Sequence, residues 1–397
     1  MPTYQSGKNV TVAYKPETTF GIAAAGGAGA KRFRLNGGGL ALARATIAPN
    51  EIRSDLKTSM GRYGSRSVSG SFAGDLSVGT FDDLIEAALR GTWIATQVIT
   101  AATFTTLTPG ANTFTAAAGS FLSSGFRVGQ VIRRTGGGIA GNNARNLRVT
   151  GVTATVLTVA ETLTAGAGDG TGSIDIMKRL SQPSSVVRRS FTFDEYSGDI
   201  DQSELYVGNR VGSLKISGGP DSMATIEIGL VGVDGSVLTQ AASPYFTNPV
   251  ASGSIGLTMA DASLRFGGVD QVTVTAFDLS IDNKLGTQAV IGSNASPDVF
   301  DNAVEVSGSI SVIRSDLTNV TRFLSETELE LQVLLGEPEA EPRDFISLFL
   351  PRIKVGMPGR SLGADNAMIE SLPFMVGNKD IATGYEDTMV QVSTSAV

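Results

Sequence analysis

The densest set of side chains able to do chemistry in this chain is acidic. Asp194, Glu195, Asp199, Asp201 and Glu204 crowd one short stretch. Carboxylates so close together could bind Ca²⁺ through oxygen, but their spacing fits no EF-hand loop. As an acid and base pair they could cleave a glycosidic bond, alone or with Asp82 or Asp83. Such an enzyme wants aromatic platforms for sugar rings, and the chain has one tryptophan, Trp93. The plainer reading is a solvated hairpin loop. A second acidic run, Glu337, Glu339, Glu341 and Asp344, recurs further along.

Most other chemistry is excluded outright. The chain has no Cys and no His. Disulfides, thiolate catalysis, Cys-ligated metals and every His-dependent triad are therefore absent. The sequence predicts a protein that is not an enzyme and that needs no cofactor or metal. Residues 166–172 (GAGDGTG) lack the Lys-Ser/Thr of a phosphate-binding loop, and so read as a flexible turn. Two matches to the glycosylation pattern, at Asn9 and Asn319, lack a secretory signal ahead of them.

Basic residues collect elsewhere. Lys31, Arg32 and Arg34 precede the first predicted strand. Arg53, Lys57, Arg62 and Arg66 lie in or beside a polar loop at 49–64. Tyr63 is the one aromatic among them, which is a poor stacking platform for nucleic acid. The net charge of −7 also disfavours gripping DNA. These basic residues fit contact with an acidic protein surface. No apolar run approaches the roughly 20 residues of a membrane helix.

The elements that position these groups are mostly strands. Of 397 residues only 17% are charged, and 48 are glycine, as in a β-rich chain with tight turns. One phrase occurs twice, Val-Ser-Gly-Ser at Val68–Ser71 and again at Val306–Ser309. Each copy opens an alternating stretch, the period-2 signature of a strand. Each is preceded by a strand and a long polar loop (49–64 and 284–302). Each is followed by a helix, at 80–89 with Thr80 as N-cap and Asp83 in capping-box position, and at 318–325 from Thr318. Downstream, 186–196, 205–217 and 223–233 parallel 329–336, 345–356 and 368–376. This order predicts a duplication. The register shift near Ala276 and Phe277 predicts a β-bulge.

One segment breaks the symmetry. Residues 101–179 hold short strand patterns between Gly and Asn turns, and read as a small β domain inserted at an exposed connection. The domains expected are 1–100 with 180–245, the insert at 101–179, and 246–397.

In the order of its elements the chain resembles the tail tube (major tail) proteins of long, non-contractile-tailed phages, of the kind with a duplicated tube domain. The resemblance rests on strand, long loop, strand, helix and strand in both copies, and on the closing stretch from Leu350-Pro351-Arg352-Ile353-Lys354-Val355 to Glu370-Ser371-Leu372-Pro373-Phe374. It covers nearly the whole chain. It implies a mainly β fold with two short helices, as two tandem tail-tube-type β-sandwich or barrel domains plus the insert. It implies a virion protein, assembled in a host cytoplasm, that forms homotrimeric pseudo-hexameric rings stacked into a tube. Its partners would be the tape-measure, tail-tip and tail-terminator proteins, with DNA passing through the lumen and no membrane contact. On this reading Arg53, Lys57, Arg62 and Arg66 stack rings, and the two acidic loops face the lumen or an interface. The other reading is a β-sandwich adhesin or fibre that binds a receptor through the insert.

Overall fold

The structure, a computed structural model, describes residues 4–338, 341–360, 367–379 and 384–396. It is mainly antiparallel β. The first series of strands is β1 (Val10–Pro16), β2 (Gly37–Ile47) and β3 (Arg62–Asp75), then helix α1 (Asp82–Ala88), then β4 (Phe191–Ser197), β5 (Gln202–Gly218) and β6 (Thr225–Gly232). The second is β7 (Val274–Asp282), β8 (Glu305–Ile313), helix α2 (Thr318–Leu324), β9 (Leu329–Gly336), β10 (Phe345–Val355), β11 (Gly359–Arg360), β12 (Ile369–Val376) and β13 (Gln391–Thr394).

Pairing order is the same in both series. In the first, β2 pairs with β3, β3 with β6, and β6 with β5. In the second, β7 pairs with β8, β8 with β12, and β12 with β10 and β11. The two runs are joined edge to edge, because β5 also pairs with β7. Even the irregularities recur. The β4–β5 ladder slips after Phe191 opposite Asn209, and the β9–β10 ladder slips after Leu329 opposite Ile353. The predicted bulge lies between Val274 and Ala276, close to its expected place.

Alternation divides each strand between two environments. Val68, Phe72, Ile226, Ile228, Leu279, Ile281, Val306, Ile310, Leu372 and Phe374 all enter one continuous core. Fully burying each such side chain is worth about 1.5–3 kcal/mol. The core is aromatic on the first side, where Tyr14, Phe33, Phe72, Phe81, Phe191 and Phe193 stack at centroid distances of 5.2–6.5 Å. The repeated phrase has a steric reason. A Cβ on Gly70 would stand 2.1 Å from the Gly39 carbonyl oxygen, and one on Gly308 would stand 2.2 Å from that of Asp278. Both glycines let the neighbouring strand approach closely.

Two local readings are corrected. Thr80 is not the N-cap of α1. Phe81 holds that position without a side-chain bond, while the Thr80 hydroxyl lies 2.6 Å from that of Ser77 and 2.7 Å from that of Ser252. Asp83 closes no capping box and pairs instead with Lys31 at 2.6 Å. Thr318 is the first helical residue of α2, and its N–H donates to Asp316 Oδ1 at 2.8 Å. Both helices are short enough that tertiary contacts set their ends. Strand β1 and the mostly polar β13 carry no alternation long enough to reveal them.

Between α1 and β4, a seven-stranded sheet runs from Gln97 to Ile176 around its own apolar cluster. That cluster also takes in Phe349 of β10. Gln332 Nε2 donates to the Gly129 carbonyl at 3.0 Å, and Arg148 forks onto Asp270 with two bonds of 3.0 Å. This seven-stranded sheet is thus seated against the second strand series.

Gly70→Ala and Gly308→Ala should each destabilise the protein by roughly 2 kcal/mol or more, because a backbone oxygen must move. Gly7→Ala meets nothing within 4 Å and should stay within about 0.5 kcal/mol. Urea denaturation reads all three.

Candidate functional site

With β5 and β7 paired inside the chain, the two ends of the joined sheet are left. One end is β2, which among the described residues finds a strand partner on one side only. The other is β11, which continues β10 and among the described residues pairs with β12 alone. An unpaired edge presents backbone donors and acceptors that demand partners.

At the β2 end two side chains supply them. The Leu40 N–H donates to Glu195 Oε1 at 2.8 Å, and the Tyr206 hydroxyl donates to the Leu40 carbonyl at 2.9 Å. The same hydroxyl also touches Glu204. Register places Val333, Leu350 and Leu348 where Glu195, Tyr206 and Glu204 stand in the first series. The polar trio is therefore peculiar to the open edge. An open cleft of about 810 Å³ flanks it, lined in part by Gly37, Gly38, Arg32, Arg34 and Glu195.

Burial pushes the Glu195 carboxyl up to about 7, and the charges of Glu204 and Asp194 add to the rise. Burial likewise raises Asp194, although the Phe246 N–H donates to it at 3.0 Å. Tyr206 is raised by burial first and then by its Glu204 bond.

The five acids of the first run therefore do not form one loop. Asp194 and Glu195 lie in β4, and Glu204 in β5. Asp199 and Asp201 occupy the turn between, where Asp199 accepts from the Ser6 N–H at 2.7 Å and from Asn9 at 2.6 Å. Asp201 accepts from the Tyr196 hydroxyl at 2.9 Å. In the second run Glu341 pairs with Arg343 at 3.1 Å, burial pushes the nearby Arg133 down against the opposing charge of Asp344, and Glu337 lies just beyond β9. Glu339 lies outside the described residues. No acidic cluster suited to a metal occurs among the described residues. Asp82 and Asp83 are each paired to a lysine, Lys178 and Lys31.

The basic residues are also dispersed. Arg53 pairs with Asp55 at 2.8 Å inside its own loop. Arg66 is partly buried against Asp234 at 3.0 Å, and its N–H donates to Asn294 of the β7–β8 loop. Arg62 opens β3 opposite Ile47, and Lys57 is exposed. What charge concealed is that this hairpin tip is apolar. Ile52, Leu56 and Met60 are about fully exposed, with Ile47 and Tyr63 beside them. In the β7–β8 loop Ile291 is fully exposed too. Such patches mark contact surfaces.

The face of the sheet opposite the core is built from small hydroxyls. Ser69 and Ser71 of β3, Ser213 and Ser217 of β5, Ser280 of β7, and Ser307, Ser309 and Ser311 of β8 alternate with the buried apolar residues. Ser71 donates to Glu227 at 2.9 Å, and Ser309 bonds Asp278. Simple alternation made these serines legible, but not their alignment across strands.

Glu195 offers a pH signature. Unfolded it titrates near 4.5, and folded it keeps its proton to about 7. The folded state binds the extra proton between those values. This contribution to stability is therefore whole below about 4.5, falls as pH rises, and is fully lost above about 7. From pH 5 to pH 8 the stability of Glu195→Gln relative to the parent should improve by about 1–3 kcal/mol. Urea titrations of the unassembled protein at both values read it.

A family model described as phage tail tube protein matches residues 7–376. No curated protein matches the chain.

Proposed function

We propose how this chain works from the premise that it belongs to the phage tail tube protein family, the structural and non-enzymatic components of the virion tail. Members self-assemble. The chain is a tandem of two tube domains, 1–100 with 180–245 and then 246–397, with the 101–179 insert between them. Three copies close into a ring that is pseudo-hexameric, and rings stack into the tube that conducts DNA. The single observation that carries this reading is the β5–β7 pairing, a side-by-side joint between two strand runs of identical order. A joint already made once within the chain can be made again between chains.

The serine face becomes the lumen wall. Short hydroxyls give a smooth polar surface, and Glu227, Asp278 and Asp282 add negative charge against Lys215. Such a wall repels phosphate weakly, with Lys215 a lone cation set among three carboxylates. It takes over the lumen role from the acidic loops, because Asp194 and Glu195 are engaged in the fold. The hairpin tips at 48–61 and 283–304 reach the next ring. Ile52, Leu56 and Met60 supply apolar contact there, and Arg53, Lys57 and Arg62 supply polar rim contacts, with Arg66 at the hairpin base. Tape-measure, tail-tip and tail-terminator proteins meet the lumen and the two ends of the tube.

Electron microscopy of the purified protein tests the reading. Hollow rings or tubes are expected. Discrete particles without a lumen would overturn it and favour the receptor-binding fibre. The double variant Ile52→Asp/Leu56→Asp should leave single rings that fail to stack, and normal tubes from it would remove the hairpin from the contact.

A further inference from the structure

We infer that residues 357–360 of one chain pair with Leu40–Ala43 of a second copy, with Gly359 opposite Ala41, and displace Glu195 and Tyr206 from Leu40. The inference deepens the ring reading and rests on it.

The register follows from the joint inside the chain. There Lys215 faces Ser280, Leu214 faces Ile281 and Ile216 faces Leu279. Ser280 lies opposite Ser307 of the second repeated phrase, and Ala41 lies opposite Ser69 of the first. Ala41 therefore stands where Ser280 stands. On the other partner, Val211 faces Leu230 and Lys215 faces Glu227, with one residue bulged between. Val355 faces Phe374 and Gly359 faces Ser371, again with one extra residue. The bulge holds a glycine in both cases. A Cβ on Gly212 would lie 3.7 Å from the Gly229 oxygen, and one on Gly356 would lie 3.5 Å from the equivalent Pro373 oxygen. Gly359 therefore stands where Lys215 stands.

Chemistry and space agree. Leu40 turns its N–H and C=O away from β3, toward Glu195 and Tyr206, as Leu279 must turn toward β5. Those two side chains fill an edge that an incoming strand would fill with backbone groups, Arg360 exchanging two bonds with Leu40 and Pro358, which has no N–H, accepting one from the Leu42 N–H. Side-chain cover of an exposed edge is a known guard against wrong pairing. Beside it lies the open cleft at Gly37 and Gly38, with room for a strand. On the incoming side Met357, Gly359 and Arg360 are exposed. No competing occupant is required, because both surfaces belong to one chain and match at its two ends.

The absence of cysteine makes the test clean. Leu40 directs its polar groups outward, so its neighbour Ala41 directs them inward. Ala41 and Gly359 then form a non-hydrogen-bonded pair, with Cα atoms about 4.5 Å apart, within the span of a disulfide. The variant Ala41→Cys/Gly359→Cys, oxidised after assembly, should link chains in a ladder that ends at three. Ala43→Cys/Met357→Cys, two residues along, should do the same. The shifted pair Ala41→Cys/Arg360→Cys should link at least tenfold less. Images of the same samples separate the two ideas. Rings with no link in either aligned pair overturn the register and leave the ring reading standing. Equal linking by the shifted pair also overturns the register. Neither rings nor links overturn both.

Discussion

An open sheet edge has to be closed, and that requirement organises this protein. Every strand end carries N–H and C=O groups that cost free energy when buried without partners. Inside the chain the problem is solved once, where β5 meets β7. At the outer ends it is solved provisionally, by Glu195 and Tyr206 on Leu40. The provisional solution is poor by construction. It holds a carboxyl in surroundings that push it up to about 7, beside two further acids. A neighbouring strand offers neutral backbone groups in its place. The free chain thus keeps this edge covered, and pairing with a neighbouring strand would release the buried carboxyl.

The other parts serve that edge. One face of the joined sheet is occupied by the core, so the other is left for function. Alternation makes the first face Val, Phe, Ile and Leu and the second Ser. The insert, held by Arg148 on Asp270 and by Gly129 against Phe349, packs on the second strand series. The long hairpins carry exposed apolar tips away from the core.

Much of this was legible in the residues. The Val-Ser-Gly-Ser phrase gave away its strands because a half-buried strand must alternate, and its glycine because a neighbouring carbonyl passes within van der Waals reach. The long strands lie within a few residues of the ends that alternation predicts. Other features were not legible. Asp194 and Glu195 read as solvated because acids usually are, and nothing local says that β4 turns them toward Phe246 and Leu40. Thr80 looked like a cap because its type fits, yet Ser252, distant in sequence, claims its hydroxyl. The hairpin tip looked basic because charge is conspicuous. Its isolated Ile52, Leu56 and Met60 form a patch only when the loop is folded. The family match agrees with the resemblance drawn from element order.

Hydrogen exchange along β2 tests the central claim most directly. Leu42 shares the outward phase of Leu40 and lies inside the paired segment, so its amide is the one a neighbouring strand must cover. On assembly into rings, exchange at Leu42 should slow by orders of magnitude, while Leu40, already bonded in the free chain, changes least. Unchanged exchange at Leu42 in assembled rings would mean that β2 stays open. The chain would then close its rings by some other surface.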